Sequence, residues 1–377
     1  MNILITGGAG FIGGHTADAL LAMGHKVRVL DILDPQVHGE SGPAYLHADV
    51  ECMQGDVCNA EDVGHALQGI DAVYHFAALT GVGQSMYDLR SYVDTNCTGT
   101  ATLLEAIVKQ QVSLKKLVLA SSRAVYGEGT HICPAHGVIY PKPRLRADME
   151  NGYFGVRCPQ CGATMTAVAT MEDHPPMPIS VYAWTKQQQE DLCLYVAQTF
   201  GVPVVGLRYF NVYGSRQSLK NPYTGVVSIF YSRLMAGQPV FLYEHGKPGR
   251  DFVHVSDVVQ ANLLALEAQV ESGAFFNVGT GDEHTILDVA QALAKACGRT
   301  PEILDRGEFR VGDIHSCYAD LHQAKTHLGY EPRMSLEAGM KEFAEWAAGQ
   351  ESIDLYQKTV DELERHGLFG QANVSNK

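Results

Sequence analysis

The chain has 377 residues, 46% of them hydrophobic, and a formal net charge of −14 at pH 7. That length and apolar content suffice for a large core in one or two domains, while the acidity argues against nucleic acid or an anionic membrane as a main partner. No apolar run is long enough to span a bilayer, and the first predicted strand begins at residue 2, which leaves no room for a signal peptide and predicts a cytoplasmic protein.

The chain opens with a short apolar strand at residues 2–6, followed by a glycine-rich turn and a helical pattern that stops at Gly24. Strand, turn and helix in this order are the context that a dinucleotide fingerprint requires. Gly7 would allow the tight turn, Gly10 the approach of a pyrophosphate, and Gly13 the contact between helix and strand. The helix N-terminus would then face the phosphates. The alternative is a glycine-rich turn that binds no ligand.

A second apolar strand, residues 27–30, ends at Asp31. A carboxylate at this point can accept hydrogen bonds from a ribose diol and would repel a 2′-phosphate, so the sequence favours NAD over NADP. Asp56 follows a turn at residues 53–55 and is expected near the adenine end.

Apolar strands alternate with helical patterns through the first half, with strands at 71–78 and 116–122 and a long helix at 92–109. This alternation predicts an α/β fold in which helices cover both faces of a Rossmann-type, doubly wound parallel sheet. Ligands of such sheets bind beyond the carboxyl ends of the strands. The residues expected at those ends are Gly7, Asp31, Ala77 and Ser122.

A segment at residues 129–175 carries one Cys-x2-His pair, Cys133 with His136, and one Cys-x2-Cys pair, Cys158 with Cys161. The two pairs are separated by 21 residues. This spacing is typical of a closed tetrahedral zinc site, and four protein ligands would make the zinc structural. The alternatives are an ordinary loop with scattered thiols, or a site that uses His131 or His174. We expect a small zinc-ribbon insert, which could form a wall or a lid of the cleft.

Tyr182 and Lys186 are four residues apart on a predicted helix and therefore lie on one face of it. An ammonium one turn away can lower the pKa of a phenol, so that the tyrosine acts as a base near neutral pH. A tyrosine and a lysine four residues apart are common on helices, so this spacing indicates a catalytic pair only together with the other features of the sequence.

The pattern changes after a strand at residues 204–211, where loops and shorter elements suggest a smaller substrate-binding lid. We therefore predict a Rossmann domain at 1–209, interrupted by the insert, and a C-terminal domain at 210–349 whose chain re-crosses to the first domain near 250–268. Residues 350–377 are expected to form a tail, with the last dozen residues frayed.

Together these segments resemble the extended short-chain dehydrogenase/reductase superfamily, and within it the nucleotide-sugar epimerases and dehydratases. The resemblance covers residues 1 to about 345. It rests, in the family's order, on residues 6–13, 75–78, Asn96, 121–122 before 125–127, Tyr182 with Lys186, 208–214 and 250–255.

The resemblance implies that Tyr182 takes a proton from a sugar hydroxyl, that Ser122 hydrogen-bonds the reacting oxygen, and that Lys186 binds the nicotinamide ribose and depresses the Tyr182 pKa. A hydride would pass from the sugar to NAD. The implied cofactor contacts are Gly7, Gly10, Phe11, Ile12, Gly13, Asp31, Asp56, Val57, Ala77, Ala78, Asn96, Tyr182, Lys186 and Tyr209. The implied substrate contacts are Gln84, Ser122, Arg123, Asn211, Arg250 and Arg310.

Two of these roles have simple alternatives. A serine at a strand end can merely cap a loop, and an arginine can be a solvated surface charge or half of an ion pair. We favour diphosphate binding for Arg250 and Arg310, because the fork of guanidinium donors matches phosphate oxygens.

Dehydratases of this family carry an Asp-Glu pair directly after the residue that corresponds to Ser122, whereas this chain has Arg123 and Ala124. Neither can act as the acid or base of an elimination, so the sequence favours 4-epimerisation, with a tightly bound NAD regenerated in each cycle. Residues 217–226 resemble a segment of dTDP-L-rhamnose 4-epimerases, which points to a dTDP-6-deoxyhexose.

Four other functions remain open at this stage: a UDP-hexose 4-epimerase acting on glucose, galactose or uronic acid derivatives, a 4,6-dehydratase, a 4-ketoreductase, and a non-catalytic NAD-sensing scaffold. The helix at 92–109 and the helix of Tyr182 resemble those that form a four-helix dimer interface in the family. By that analogy we expect a homodimer whose small-molecule partner is a nucleotide-diphospho-sugar.

Overall fold

The computed structural model describes residues 1–39, 42–221, 223 and 225–373. In chain order the strands are β1 (Asn2–Thr6), β2 (Lys26–Asp31), β3 (Glu51–Gln54), β4 (Ala72–His75), β5 (Lys116–Ser122), β6 (His131–Cys133), β7 (Gly137–Ile139), β8 (Thr166–Ala167), β9 (Val204–Tyr209), β10 (Asn211–Tyr213), β11 (Val240–Leu242), β12 (Gly249–Arg250), β13 (Phe252–His254), β14 (Ala274–Val278), β15 (His284–Thr285), β16 (Ile303–Asp305), β17 (Glu308–Arg310), β18 (Ser316–Cys317) and β19 (Phe369–Gln371).

The α-helices are α1 (Phe11–Ala22), α2 (Pro35–His38), α3 (Ala60–Ala66), α4 (Val82–Ser85), α5 (Leu89–Tyr92), α6 (Gly99–Lys109), α7 (Arg146–Glu150), α8 (Val181–Phe200), α9 (Val226–Met235), α10 (Val255–Glu267), α11 (Ile286–Ala296), α12 (His322–Leu328), α13 (Leu336–Ala347) and α14 (Tyr356–Arg365). None of them, within the described ranges, is long and apolar enough to cross a membrane.

A seven-stranded parallel sheet, in the order β14-β9-β5-β4-β1-β2-β3, forms the centre of the molecule. Successive strand residues point to opposite faces, and both faces are buried: Ile3 and Ile5 pack with α1, α10 and α12, whereas Leu4 packs with α3, α6 and α8. Burial on both sides explains why these strands read as unbroken apolar runs. The predicted doubly wound Rossmann-type fold is confirmed.

The turn after β1 depends on Gly7, whose φ of +68° lies in the left-handed region. A Cβ on Gly7 would stand 2.6 Å from the backbone nitrogen of Ala77, so a side chain is excluded here. The absence of a side chain lets the turn approach the loop that follows β4, which brings two strand ends together.

The C-terminal half has its own apolar core, built by α9, α11, α13 and β11. The chain also returns to the first domain: α10 packs on α1, and β14 is the edge strand beside β9. The C-terminal segments are therefore tied to the parallel sheet at several points along the chain.

The helical segment expected at residues 92–109 is interrupted. A π-helical turn, Val93–Thr98, joins α5 to α6. The wider turn contains Asn96, whose side chain is fully buried and hydrogen-bonded across to α8. Helical periodicity does not distinguish such a turn from a regular helix, which is why the sequence did not indicate it.

The end of the described chain is ordered, so the prediction of a frayed tail is wrong over residues 366–373. The strand β19 pairs antiparallel with β17, and α14 buries Val360 and Leu363. The apolar side chains of Phe309 and Ala372 share one small cluster. Residues 374–377 of that predicted tail lie outside the described residues.

One buried ion pair joins α8 to the sheet. Arg208, on β9, donates from Nε and Nη2 to the two carboxylate oxygens of Glu190, on α8, at 2.9 and 2.8 Å. Ser121, on β5, donates to the same carboxylate. Both charged side chains are less than 10% exposed, at 8% and 6%. The pair fixes the position of the helix that carries Tyr182 and Lys186.

We predict that Arg208→Met lowers the free energy of unfolding by about 3–5 kcal/mol, because it leaves the Glu190 carboxylate buried without its partner. Urea unfolding followed by circular dichroism measures the change. The control is Arg90→Met, which removes an exposed pair with Asp94 and should cost no more than about 1 kcal/mol. Equal stability losses in the two variants would contradict the assigned role of the buried pair.

Candidate active site

A cavity of about 840 Å³ lies at the carboxyl ends of the parallel strands and extends to the C-terminal half. Most of the residues singled out from the sequence line it. They are Gly7, Gly10, Phe11, Ile12, Gly13, Asp31, Asp56, Val57, Ala77, Ala78, Ser122, Arg123, Tyr182, Lys186, Tyr209, Asn211, Arg250 and Arg310. Residues spread over three hundred positions of sequence therefore meet at one cavity.

The glycine turn forms one end of the cavity. A Cβ on Gly13 would lie 2.6 Å from the Cα of Gly8, so this glycine allows α1 to pack closely against the turn. The Asp31 carboxylate accepts hydrogen bonds from the backbone of Ala9 at 3.0 Å and of Leu33 at 2.9 Å. Each of its oxygens has accepting capacity left, which suits a ribose diol. The residues present thus fit an NAD molecule.

Two residues implied by the family resemblance do not line the cavity. Asn96 accepts from the backbone nitrogen of Leu79 at 2.8 Å and donates to Thr185 Oγ1 at 2.9 Å, so it holds the loop after β4 against α8. Gln84 accepts from the Tyr92 hydroxyl at 3.3 Å. The structure therefore gives both side chains a supporting position behind the cavity wall.

The start of α8 places Tyr182. Ser180 caps the helix by accepting from the Ala183 nitrogen at 3.1 Å, and Ser85 Oγ accepts from the Tyr182 nitrogen at 3.0 Å. One turn later, Lys186 donates from Nζ to the carbonyl of Ala120 at 2.8 Å. These bonds bring the tyrosine and the lysine to the end of β5, beside Ser122.

The charge that lowers the Tyr182 pKa is not the one that the sequence predicts. Burial raises the Tyr182 pKa, which stays above its ordinary value although a hydrogen bond with Ser122 and the charge of Arg123 lower it. Burial also lowers the pKa of Lys186 to about 8, opposed by the charge of Glu190. The ammonium is directed to the Ala120 carbonyl, so the positive charge that acts on the phenol in this structure is that of Arg123.

The opposite side of the cavity carries two arginines that share one carboxylate. Asp313 accepts from Arg250 Nη2 at 3.0 Å and from Arg310 Nη2 at 2.6 Å. Burial would raise the pKa of Asp313, but the charges of Arg310 and Arg250 outweigh it and hold that pKa well below its usual range. Two polar atoms here are buried without a partner among the described residues, Oδ1 of Asn211 and Nε of Arg310. Buried polar atoms usually have a hydrogen-bond partner, so these two atoms are available to bind a ligand.

Several cavity residues were not indicated by the sequence. Asp313 could have been suspected from its place three residues after Arg310, with which its carboxylate forms an ion pair. Tyr243, Tyr356 and Leu363 also line the cavity, and the last two come from the segment expected to be a tail. No local pattern marks them, because their role arises only when distant parts of the chain pack together.

The four predicted metal ligands converge in the insert. The ligand atoms of Cys133, His136, Cys158 and Cys161 all lie within 4.8 Å of one another. His136 Nδ1 is 3.5 Å from Cys133 Sγ and 3.4 Å from Cys158 Sγ, and the sulfurs of Cys133 and Cys161 are 3.7 Å apart. Neighbouring ligand atoms of a tetrahedral zinc are about 3.5–3.8 Å apart, so the residues fit this metal.

The alternative ligands are not part of this group: His131 Nδ1 is directed to the carbonyl of Gly129, and His174 Nδ1 to that of Pro175. Desolvation raises the pKa of Cys158, but hydrogen bonds from the backbone of Gln160 and Cys161 outweigh it and lower the pKa to about 6. A thiolate is the form in which cysteine binds a metal.

The hypothesis that the insert forms a wall or a lid of the cleft is not supported. None of the described residues between 129 and 175 lines the cavity. The three-stranded sheet β7-β6-β8 and its small apolar cluster form a separate unit outside it. The insert lies between Ser122 and Tyr182 in sequence but not at the cavity that these two residues line.

Comparison with known proteins agrees with this geometry. The chain matches the NAD dependent epimerase/dehydratase family over residues 3–144 and 159–279. It is 37% identical over 351 residues to a dTDP-L-rhamnose 4-epimerase from Burkholderia thailandensis, a match that covers 92% of this chain and 94% of that protein.

Solved structures give the same result. A UDP-glucose 4-epimerase from Thermotoga maritima with UDP-glucose has a TM-score of 0.75 at 31% identity, and a UDP-glucuronic acid 4-epimerase from Bacillus cereus with UDP-glucuronic acid and NAD has a TM-score of 0.76 at 28% identity. Each match covers 92% of this chain and 99% of the other. From its fold, its glycine turn and these matches, the chain belongs to the NAD dependent epimerase/dehydratase family.

Proposed function

We propose that the protein is an NAD-dependent nucleotide-sugar 4-epimerase that acts on a dTDP-6-deoxyhexose such as dTDP-L-rhamnose. The observation that carries the proposal is the meeting of Tyr182, Ser122 and Lys186 at one cavity, with Arg123 and Ala124 where a dehydratase of this family has its carboxylates. The site can move one proton at a sugar hydroxyl, and it offers no carboxylate directly after Ser122 for an elimination.

In this mechanism Tyr182 takes the proton of the C4 hydroxyl once its own phenol is ionised, while Ser122 donates a hydrogen bond to the same oxygen. The glycine turn would hold NAD, which would supply the hydride acceptor for C4 and then the hydride donor to the opposite face. Asn211, Arg250 and Arg310 hold the diphosphate, which leaves the sugar free to turn over between the two steps. Tyr182 then gives the proton back to the C4 oxygen.

The choice of sugar nucleotide rests on the relative from B. thailandensis, whose name includes dTDP-L-rhamnose, and on the segment 217–226. Gln217 of that segment lines the cavity, whereas Pro222 and Thr224 lie outside the described residues. UDP-hexose 4-epimerases occur among the relatives and structural neighbours and are the second candidate. A dehydratase is less well supported, although dTDP-glucose 4,6-dehydratases are relatives too.

We predict that the purified protein converts dTDP-L-rhamnose to its C4 epimer without added NAD, as followed by NMR, and that UDP-galactose and dTDP-glucose react more slowly. Tyr182→Phe should lower kcat roughly 100- to 10,000-fold, because it removes the proton acceptor. The matched control is Tyr195→Phe, an exposed tyrosine on the same helix, which should retain full activity.

A stable 4-keto-6-deoxy product would instead identify a dehydratase, and preferred turnover of UDP-galactose a UDP-hexose epimerase. The scaffold alternative would be supported, and the proposal contradicted, if the protein bound NAD but turned over none of the three sugar nucleotides. In that case Tyr182→Phe should bind NAD as the unaltered protein does.

We also propose that the insert holds a structural zinc ion. Four ligands of the appropriate kind lie at tetrahedral spacing, and the insert's apolar cluster consists of only Cys133, Val156, Cys158 and Met165 with Ile139 beside it. So small a core does not stabilise a ribbon by burial alone, and a metal would supply the missing free energy.

The purified protein is expected to contain about one zinc ion per chain by mass spectrometry of the metals, because the cluster offers a single set of four ligands. Cys158→Ser should lose the zinc and make residues 129–175 sensitive to limited proteolysis. Cys52→Ser, which changes an exposed cysteine outside the cluster, should keep both zinc and resistance. Full zinc content in Cys158→Ser would refute the assignment.

The assembly proposed for the protein is a homodimer formed through the helical segment at 92–109 and α8. The helix α8 carries exposed aromatic side chains, among them Trp184, which a partner would cover. Light scattering should then give twice the 41.0 kDa mass of the chain, and a single-chain mass would refute the dimer alone. A cytoplasmic location belongs to the same proposal and agrees with the nine cysteines, all within the described residues, of which none forms a disulfide.

A further inference from the structure

Arg144 belongs to the insert, yet its guanidinium is buried between the insert and the C-terminal half, with only 3% of the side chain exposed. It donates from Nε to Glu128 at 3.1 Å, from Nη1 to Glu244 at 2.5 Å and to the carbonyl of Phe154 at 2.9 Å. From Nη2 it donates to Glu244 at 3.1 Å and to the carbonyl of Asp313 at 2.8 Å. Every donor that a guanidinium offers is thereby used.

The contact with Asp313 connects Arg144 to the cavity. The Asp313 backbone carbonyl accepts from Arg144, while its carboxylate accepts from Arg250 and Arg310. A parallel link runs through Glu128, which binds Arg144 with one oxygen and accepts from the backbone nitrogen of His315 with the other, at 2.7 Å. The segment 313–315 is therefore held at both ends by the Arg144–Glu128 pair.

The same segment holds Arg250 directly. Arg250 donates to the carbonyls of Ile314 at 2.6 Å and His315 at 2.9 Å, besides the Asp313 carboxylate. Any displacement of residues 313–315 would move the Arg250 guanidinium with it and would turn the Asp313 carboxylate away from Arg310. The four Nη hydrogens of Arg250 are all engaged within the protein, so it offers a diphosphate its Nε–H and its charge, and such a displacement would misplace both and weaken binding.

We propose that Arg144 is a positioning residue through which the insert sets the geometry of the two arginines that bind the diphosphate of the substrate. This inference rests on the proposed function, in which the ligand of Arg250 and Arg310 is the diphosphate of a nucleotide sugar. Although no described residue of the insert lines the cavity, this side chain gives the insert a hydrogen-bonded connection to it.

The test measures binding of dTDP to the NAD-loaded protein by calorimetry, with UDP as a second probe. Arg144→Lys keeps a positive charge beside Glu128 and Glu244, so the chain is expected to fold, but an ammonium has only three donors and lacks the fork. We expect the affinity for dTDP to fall about tenfold, KM for the sugar nucleotide to rise by a similar factor, and kcat and NAD affinity to stay within about twofold.

The matched control is Arg146→Lys, which makes the same change two residues away in an exposed pair with Glu150 and should leave dTDP affinity unchanged. A second comparison separates positioning from general destabilisation. If Arg144 acts through Arg250, the double variant Arg144→Lys/Arg250→Lys should bind dTDP only as weakly as Arg250→Lys alone, whereas independent effects would multiply.

Three outcomes overturn the inference. Unchanged dTDP affinity in Arg144→Lys would show that the network is structural only, and multiplied effects in the double variant would show that Arg144 does not act through Arg250. Unaltered protein that binds neither dTDP nor UDP would refute the proposed function itself, and the inference with it. The first two results leave the proposed function intact, so the two failures can be told apart.

Discussion

The buried pair of Arg208 and Glu190 determines where chemistry can occur in this molecule. It joins the central helix α8 to two neighbouring strands, because Glu190 also accepts from Ser121. The same carboxylate lies one turn beyond Lys186 and supports its charge against the effect of burial. A single acidic side chain therefore fixes the helix in place and keeps the lysine protonated near neutral pH.

Sequence reasoning succeeded where function depends on local pattern. Gly7 and Asp31 stand directly at the ends of apolar strands, so the sheet and its ligand edge follow from them. Sequence reasoning failed where the role of a residue depends on a partner far away along the chain. The supporting position of Asn96, the ordered strand at Phe369–Gln371 and the burial of Arg144 all arise from contacts that no local periodicity encodes.

The insert illustrates both the success and the failure of sequence reasoning. Its four candidate metal ligands were found from spacing, because two short turns bring each pair together and chain reversal brings the pairs to each other. Its relation to the cavity was not found, since it lies outside the lining and its hydrogen bond to the segment that holds the arginines comes from Arg144.

The pairing of β19 with β17 has a consequence for the order in which the protein matures. The ribosome reaches Phe369–Gln371 only near the end of synthesis, so the strand that carries Arg310 has no partner until nearly the whole chain has been made. The glycine turn, by contrast, needs only strands from the first third of the sequence. During synthesis the glycine-turn end of the cavity can form early, whereas the end that carries Arg310 is finished only when the final segment docks.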